Sequence, residues 1–216
     1  MIVAKRIVCS GLLKAEQLPA LFSREGIAWQ RLDCAPWAEA YPYRPDVSFA
    51  IAHNGTQVLL CWRVAEDAVR AMAPADGGRV WEDSCCEAFI QLPGQPHYYN
   101  LECNCAGQLL LACGPDRHNR LAAPAATMAS ISRTTSLGRQ PFDLRQGPCL
   151  WHMELAVPAT VFFADHVECL SGIMARANFY KCGDLLPRPH FLSHYPIPLP
   201  HPDFHCPQHF GDLLFE

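Results

Sequence analysis

Short runs of residues that suit β-strands follow one another along most of this chain, and turn residues separate them. An Asn-Gly pair lies between the apolar parts of VSFAIAHN (47–54) and TQVLLCWRV (56–64), and such a pair is a strong hairpin signal. Further runs are SCCEAFIQL (84–92), HYYNLECN (97–104), GQLLLAC (107–113), TMASISRTT (127–135), CLWHMELAV (149–157) and SGIMARANFYK (171–181). About seven to ten short strands with few helices predict a mainly β fold, an antiparallel β-sandwich of the immunoglobulin-like or jelly-roll-like type.

Helical signals are few and short. Residues 12–25 have a weakly helical pattern that Pro19 interrupts, EDAVRAMA (66–73) has a helical composition, and Pro158 suits the start of a short helical turn. The segment from Cys182 to the C terminus is rich in proline, but it also carries many aromatic and His residues, which a disordered tail would lack. We therefore predict a long extended segment that packs on a single domain over residues 1–216.

Charge and composition exclude several classes of partner. The net charge is −4 with neutral His, and no run of Lys or Arg occurs, so neither nucleic acid nor a membrane surface is predicted as a partner. The N-terminal residues lack the pattern of a secretion signal, and no apolar run approaches the roughly 18 residues that a bilayer span needs. A cytoplasmic protein is therefore expected. Its 12 Cys include no CxxC pair and are expected to be reduced and mostly structural.

The alternation in HYYNLECN places Tyr98, Asn100, Glu102 and Asn104 on one face of a strand. If residues 93–96 form the hairpin loop, Glu87 on the preceding strand lies directly opposite Glu102, with Cβ atoms about 5 Å apart. Two carboxylates in that arrangement repel each other. A proton held with a raised pKa, a hard cation such as Ca²⁺, or an Arg or Lys would relieve the repulsion. Arg176 is the predicted cation, because its guanidinium offers several donors in a fixed fork. A shift of the register by one residue would remove the pair.

The same polar face has two interpretations. The first is a solvated strand with a structural salt bridge. The second is the floor of a sugar site. Sugar hydroxyls bind Asn and Glu oxygens and the fork of an Arg, and flat rings such as Trp81 and Tyr98 suit the apolar faces of sugars. Other candidates are weaker. His205 and His209 are separated by Pro207 in a predicted loop, which does not favour a metal site. Cys182 has no evident partner for catalysis. The serines Ser10, Ser171 and Ser193 lack a nucleophile-elbow context.

Four long blocks resemble a known family: VWEDSCCEAFIQ (80–91), HYYNLECNCAGQLL (97–110), ARANFYKCGD (175–184) and PHFLSHYPIPLPHPDFHCPQHFGDLLF (189–215). They are similar to the stand-alone bacterial proteins related to the family 9 carbohydrate-binding modules, over roughly residues 46–216. The resemblance implies a β-sandwich, a carbohydrate ligand and structural calcium, and it implies a link to xylan and polysaccharide catabolism because such modules are attached to xylanases. Two positions depart from the family pattern, with Cys86 in place of an aliphatic residue and His194 in place of Trp.

The residues that match the family motifs are Trp81, Asp83, Ser84, Glu87, Tyr98, Asn100, Glu102, Asn104, Asn178, Tyr180, Lys181, Asp184, His190 and His205. From this set, together with Arg176, we predict a ligand site formed by Trp81, Tyr98, Asn100, Glu102, Asn104, Arg176, Asn178, Tyr180, Lys181, His190 and His205. No cofactor is predicted with certainty, and Ca²⁺ near Asp83 and Glu87 is the candidate.

Three hypotheses about function remain open from the sequence. The first is non-catalytic binding of a mono- or oligosaccharide, with Trp81, Tyr98 or Tyr180 stacking on a sugar ring. The second is an intracellular glycoside hydrolase that acts on xylan- or glucan-derived oligosaccharides and uses Glu87 and Glu102 as a carboxylate pair. The third is a structural domain whose sugar site has decayed. Glu102 is interpreted as a structural brace with the sugar at its rim.

Overall fold

The computed structural model describes residues 1–9 and 11–216, so Ser10 lies outside the described residues. Short strands account for most of the regular structure. They are β1 (Ile2–Arg6), β2 (Gln30–Arg31), β3 (Asp46–His53), β4 (Gln57–Ala71), β5 (Cys85–Gln91), β6 (Tyr98–Asn104), β7 (Leu109–Gly114), β8 (Leu121–Ala122), β9 (Ser132–Thr135), β10 (Phe142–Pro158), β11 (Met174–Cys182), β12 (Phe191–Ser193) and β13 (Gly211–Phe215). The predicted mainly β class is confirmed.

The strands form two sheets that β1 joins. The first sheet has the order β8-β7-β6-β5-β11-β13, and the second has the order β3-β4-β10-β9. Most neighbours are antiparallel, whereas β1 pairs in parallel with β13 through Ile2 to Ala4 and with β3 through Lys5 and Arg6. A strand shared by both sheets holds them together at one side, as expected for a β-sandwich.

The core lies between the two sheets and is built from the alternate residues of each strand. Phe49 and Trp62 of the second sheet meet Phe179 of the first, and the rings of Phe49 and Phe179 stack with centroids 4.1 Å apart. All three side chains are buried. Large aromatic side chains contribute most of the apolar area that such a core removes from water.

The helical predictions were partly wrong. Residues 66–71 belong to the long strand β4, because they pair with the first half of β10 and this pairing overrides their helical composition. Helices α1 (Leu18–Glu25) and α2 (Ala125–Ala129) are short, and α1 starts at Leu18 with Pro19 in its first turn rather than being broken by it. The predicted turn after Pro158 is confirmed as a 3₁₀ turn, Ala159–Val161. No helix in the described ranges is long and apolar enough to cross a bilayer.

The C-terminal segment packs against the outer face of the first sheet, as predicted. Phe204 and Phe210 are buried there with Phe89 and Tyr180 in a second apolar cluster, separate from the core between the sheets. Trp37 anchors the covering segment by donating its indole N–H to the carbonyl of Leu199, at 2.8 Å. This face of the sheet is therefore covered by chain rather than by bulk solvent, and a cleft remains where the cover is incomplete.

Candidate functional site

The hairpin of β5 and β6 has the predicted register. Glu87 pairs with Glu102, Phe89 with Asn100, and Cys85 with Asn104. Both glutamates are 3% exposed, so the polar face of β6 is not a solvated surface. Two carboxyl groups therefore face each other in a largely desolvated environment, and burial raises their pKa values.

Arg176 does not neutralise this pair, so that interpretation is wrong. Strand β11 pairs Tyr180 with Glu87 and Arg176 with Gln91, which places Arg176 four residues, or about 13 Å, along the strand from the glutamates. Its exposed guanidinium donates to the carbonyls of Gln208 and Phe210 instead. The prediction placed Arg176 on the correct face of the sheet, but at the wrong end of β11 to reach the glutamates.

Arg120 and Asn100 supply the polar contacts on the Glu102 side. Arg120 donates to Asn100 Oδ1, and Asn100 Nδ2 donates to Glu102 Oε1 at 2.8 Å. The guanidinium also bonds the carbonyls of Tyr98, Ala112 and Gly114, and it lies 4.3 Å from the centre of the Tyr98 ring. These bonds link Arg120, Asn100 and Glu102 in one continuous series of hydrogen bonds.

The two glutamates differ in their remaining partners. The thiol of Cys182 donates to Glu87 Oε1 at 3.0 Å, whereas Glu102 Oε2 has no hydrogen-bond partner among the described residues. Burial, followed by the charge of Glu102, raises the pKa of Glu87 well above its usual value. Burial also raises the pKa of Glu102 to about 7, although Asn100 and Arg120 favour its ionised form. These shifts favour a proton retained on Glu87, which was one of the three predicted solutions.

An open cleft of about 670 Å³ lies above the pair. Its floor is formed by side chains of the first sheet: Glu87, Asn100, Glu102, Leu110, Ala112 and Cys182. Its walls come from the loops and the C-terminal cover: Tyr41, Arg79, Trp81, Arg117, His118, Arg120, Asp184, Phe191, Asp203, Phe204 and His205. A smaller hollow of about 390 Å³ against α1 contains none of the predicted site residues.

The walls combine aromatic rings, among them Trp81, with groups of both charges. Trp81 is partly exposed at the cleft, and the guanidinium of Arg79 lies 5.6 Å from its ring centre. Burial raises the pKa of Asp184 to about 6, with Arg117 opposing the shift. Burial, followed by the charge of Arg120, lowers the pKa of His205 to about 4, so its ring is neutral at pH 7. The cleft thus offers donors, acceptors and a flat ring at the same place.

Tyr98 and Tyr180 lie beneath the cleft rather than at its surface. Tyr98 is covered by Arg120, and its hydroxyl lies 2.7 Å from His205 Nδ1. Tyr180 stacks on Phe204 with ring centroids 4.2 Å apart and donates its hydroxyl to the Phe204 carbonyl. Both tyrosines are 0% exposed, so their rings support the walls and are not free to stack on a sugar.

The predicted residues Asn104 and Asn178 bind the backbone. Asn104 Oδ1 accepts from the amides of Ala106 and Gln108 and so closes the turn after β6. Asn178 bonds both the amide and the carbonyl of Tyr195, which fixes the chain after β12. Both side chains are buried outside the set that lines the cleft.

Lys181 and His190 point into the core between the sheets. Lys181 Nζ lies 3.0 Å from Glu66 Oε2 and 2.8 Å from His190 Nε2, and it donates to the carbonyl of Cys182. Strand alternation explains this placement, because Cys182 and Tyr180 on either side of Lys181 face the cleft layer. The structure therefore brings together Trp81, Asn100, Glu102 and His205 of the predicted ligand set, and it places the others elsewhere.

The donors around Asp83 do not fit calcium. Its carboxylate accepts from Arg70 Nε, from the amides of Met72 and Ala73, and from Asn104 Nδ2, all within 3.0 Å. These N–H groups occupy both oxygens, whereas Ca²⁺ needs six to eight oxygen ligands. Beside Glu87 lie the thiols of Cys85 and Cys182, and the carboxyl of Glu102 lies opposite it, a set that mixes sulfur with too few oxygens for Ca²⁺. The Ca²⁺ site expected near Asp83 and Glu87 is therefore not supported.

Sequence reasoning missed most of the wall. Arg117, His118 and Arg120 come from the loop DRHNR, and Asp203 and Phe204 come from the C-terminal cover. The available signal was two Arg and one His within five residues directly after a strand that neighbours β6. That signal could have identified a cationic loop near the site, but not the contact between Arg120 and Asn100.

The fold and the cleft define a ligand-binding β-sandwich module, since small-molecule sites are concave, partly apolar and carry a few oriented polar groups. The model of carbohydrate-binding family 9 matches residues 16–215, and the chain belongs to this family. The resemblance noted in the sequence is thereby confirmed.

Solved structures give the same result for the fold. A crystal structure from Bacteroides uniformis, of a protein to which carbohydrate binding has been ascribed, is 45% identical to this chain, with a TM-score of 0.97 and coverage of 100% of this chain and 98% of that one. Two structures of a family 9 module from Caldicellulosiruptor kristjanssonii, with glucose and with cellotriose, have TM-scores of 0.54. These two structures are 9% and 10% identical to this chain, and the matches cover 100% of this chain and 95% and 93% of theirs. The similarity therefore concerns the fold alone. A search of curated proteins gave no match.

Proposed function

We propose that the chain binds a mono- or oligosaccharide in the cleft and does not cleave it. The observation that carries this proposal is the series of hydrogen bonds from Arg120 through Asn100 to Glu102. It ends at the floor of an open cleft in a buried carboxyl oxygen that has no partner among the described residues. An unpaired buried acceptor is unfavourable unless a ligand donor completes it. A sugar hydroxyl is such a donor.

The rest of the cleft suits the same ligand. The partly exposed ring of Trp81 offers an apolar platform for one face of a pyranose, while Arg117 and Asp184 at the walls offer a donor and an acceptor to hydroxyls. A volume of about 670 Å³ is within the usual range of about 300 to 1,000 Å³ for small-ligand sites. That volume is compatible with one or two sugar rings.

Family membership and the names of the related structures support the proposal. The family is one of binding modules, and the structures described above include one with glucose and one with cellotriose. Gluco- and xylo-oligosaccharides are therefore the first ligands to test. The identity of the contacting residues is our inference from the cleft, independent of those structures.

The local bonding of Glu87 and Glu102 favours binding over hydrolysis. Glycosidases need a proton donor and a second carboxylate that flank the scissile bond. Here the two carboxyl groups lie side by side on one sheet face, one bonded to a thiol and the other to an amide, and both are 3% exposed. We infer no turnover. Product analysis after prolonged incubation with xylo- and cello-oligosaccharides tests this, and cleavage that Glu102→Gln abolishes would establish the hydrolase instead.

Calorimetric titration tests the binding proposal. The panel consists of glucose, xylose, cellotriose and a xylo-oligosaccharide, measured up to millimolar concentration. Loss of the stacking platform in Trp81→Ala should weaken binding at least about tenfold, which corresponds to about 1.4 kcal/mol. Trp29→Ala is the matched control, because Trp29 lies in the hollow against α1, where Arg63 stacks on it, and should leave affinity unchanged. Absence of binding to every sugar would refute the proposal and favour a decayed site.

A further inference from the structure

Three buried side chains that can ligate metals meet at and just beneath the floor of the cleft. Cys85 and Cys182 are direct cross-strand partners, and Glu87 is two residues beyond Cys85 on the same face of β5. One ligand atom of each of the three lies within 4.8 Å of the others, and Cys182 Sγ is 3.0 Å from Glu87 Oε1. The three side chains are at most 3% exposed.

We propose that Cys85, Glu87 and Cys182 form a binding site for a divalent transition-metal ion of the zinc class. Two thiolates at about 2.3 Å from a tetrahedral ion lie about 3.8 Å apart, so small rotations of the side chains suffice to close the site. Sulfur ligands select such ions, whereas Ca²⁺ and Mg²⁺ prefer oxygen. The donors Cys85, Glu87 and Cys182, which suit calcium poorly, therefore fit a softer ion.

Glu102, whose Oε2 is also the acceptor in the proposed sugar site, provides a second indication of a ligand at this position. Its Oε2 is buried and has no hydrogen-bond partner within the described part of the chain, and the residue lies directly opposite Glu87. Glu102 is not among the donors that lie within 4.8 Å of one another, so its place is to bond a metal-bound water rather than to ligate the ion directly. Glu87, Glu102 and Cys182 all line the cleft, which gives the ion a path from solvent.

Binding exchanges protons for the ion. The thiols of Cys85 and Cys182 and the carboxyl of Glu87 each lose a proton to solvent, and all three ligate as anions. The three anionic ligands and the divalent ion together carry a charge of −1. The walls of the cleft offset this charge with the guanidinium groups of Arg117 and Arg120.

Titration with Co²⁺ tests the site, because thiolate ligation produces an intense near-ultraviolet charge-transfer band and tetrahedral Co²⁺ absorbs strongly in the visible. The protein is kept reduced, freed of metal with a chelator, and carries Cys9→Ser and Cys169→Ser, since those exposed thiols could bind cobalt adventitiously. We expect one Co²⁺ per chain, which Zn²⁺ displaces. The absence of the charge-transfer band in this protein would overturn the proposal.

Variants locate the ion. Cys182→Ser should reduce the Co²⁺ affinity by about 100-fold and remove most of the band, and Glu87→Gln should reduce the affinity by about tenfold while the band remains. Cys103→Ser is the matched control, because Cys103 is a buried thiol of the same hairpin on the opposite face, and its variant should bind as the parent does. A band that persists in Cys182→Ser, or disappears in Cys103→Ser, would place the metal elsewhere and refute the site.

Folding is checked for every variant by near-ultraviolet circular dichroism. If Cys182→Ser does not fold, Glu87→Gln decides the question, and an unchanged Co²⁺ affinity in that variant contradicts the proposal. The titration contains no carbohydrate, so its failure leaves the proposed sugar binding untouched. Conversely, a protein that binds no sugar can still bind the ion.

Discussion

Replacement of Lys181 by Met distinguishes a structural lysine from a ligand-binding one. The family motif made Lys181 a predicted sugar contact, but its side chain is 0% exposed and lies in the core with the carboxylate of Glu66. Glu66 in turn accepts the indole N–H of Trp151 at 2.7 Å. Burial is the largest single effect and lowers the pKa of Lys181, but the opposing effects, led by the charge of Glu66, together outweigh it, so the pKa is raised and the lysine is charged at pH 7.

The expected destabilisation follows from the geometry of the pair. Two unit charges 3.0 Å apart attract each other by about 5.5 kcal/mol at an effective dielectric constant of about 20. Loss of one partner leaves the other charge buried, which typically destabilises by about 3–5 kcal/mol. We therefore expect Lys181→Met to lower the free energy of unfolding by about 4 kcal/mol and the melting temperature by about 8–16 °C.

Urea denaturation followed by tryptophan fluorescence measures this change. Lys14→Met is the matched control, because Lys14 is exposed and its charge is solvated, so its variant should stay within about 0.5 kcal/mol of the parent. Glu66→Gln combined with Lys181→Met removes both charges and should be less destabilised than Lys181→Met alone. At temperatures where Lys181→Met is folded, its sugar affinity should equal that of the parent.

Two results would refute this reasoning. A destabilisation below about 1 kcal/mol for Lys181→Met would mean that Glu66 is not a buried unpaired charge in the variant. A sugar affinity reduced tenfold or more in folded Lys181→Met would mean that the lysine does contact the ligand.

Three further predictions concern the supports of the site. Asp83→Ala leaves four donors without an acceptor, of which the Ala73 amide and Asn104 Nδ2 are fully buried, and should destabilise by about 3 kcal/mol in urea. The exposed Asp143→Ala should be near neutral. Burial, followed by the charge of the neighbouring lysine, lowers the pKa of His190 to about 2, so below pH 6.5 the unfolded chain takes up a proton that the folded chain does not. His190 should therefore lower the free energy of unfolding by about 2 kcal/mol between pH 7 and pH 5. Because the cleft carboxyls change the stability in the opposite direction, the effect of His190 is measured as the difference between the parent and His190→Gln. Equal pH profiles of stability for the two proteins would contradict the prediction. In Gly114→Ala, the added Cβ would lie 2.0 Å from the carbonyl oxygen of Asn119, so the 115–120 loop must move. Calorimetry should then show sugar binding weakened at least about tenfold. An unchanged affinity would exclude that loop from the site.

The hairpin shows how much of the site local sequence can predict. A four-residue loop and strict alternation are local properties, and together they determine that Glu87 faces Glu102. The aromatic content of the proline-rich C-terminal segment likewise predicted that it packs on the domain, because apolar rings are buried wherever a surface is available. Alternation also placed Tyr98, Asn100, Glu102 and Asn104 on a single face, as observed.

The parts that failed depend on contacts distant in sequence. Arg176 was assigned to the right face, but only the pairing of β11 with β5 shows that it lies opposite Gln91. Lys181 was carried over from a motif that does not state which face it occupies. Residues 66–71 look helical in isolation and become strand because β10 offers them a partner over the whole length of β4.

The sequence by itself therefore determined the β class and the presence of a carboxyl pair, because these follow from alternation and turn chemistry, and its motif blocks carried the resemblance to the family. Only the tertiary structure decided what the pair contacts. Arg120 reaches Asn100 because the loop after β7 folds back over β6, and Cys182 reaches Glu87 because β11 lies beside β5. Register and loop path bring residues from distant parts of the chain within 3 Å or so of each other, and the sequence around each residue carries no record of that distance.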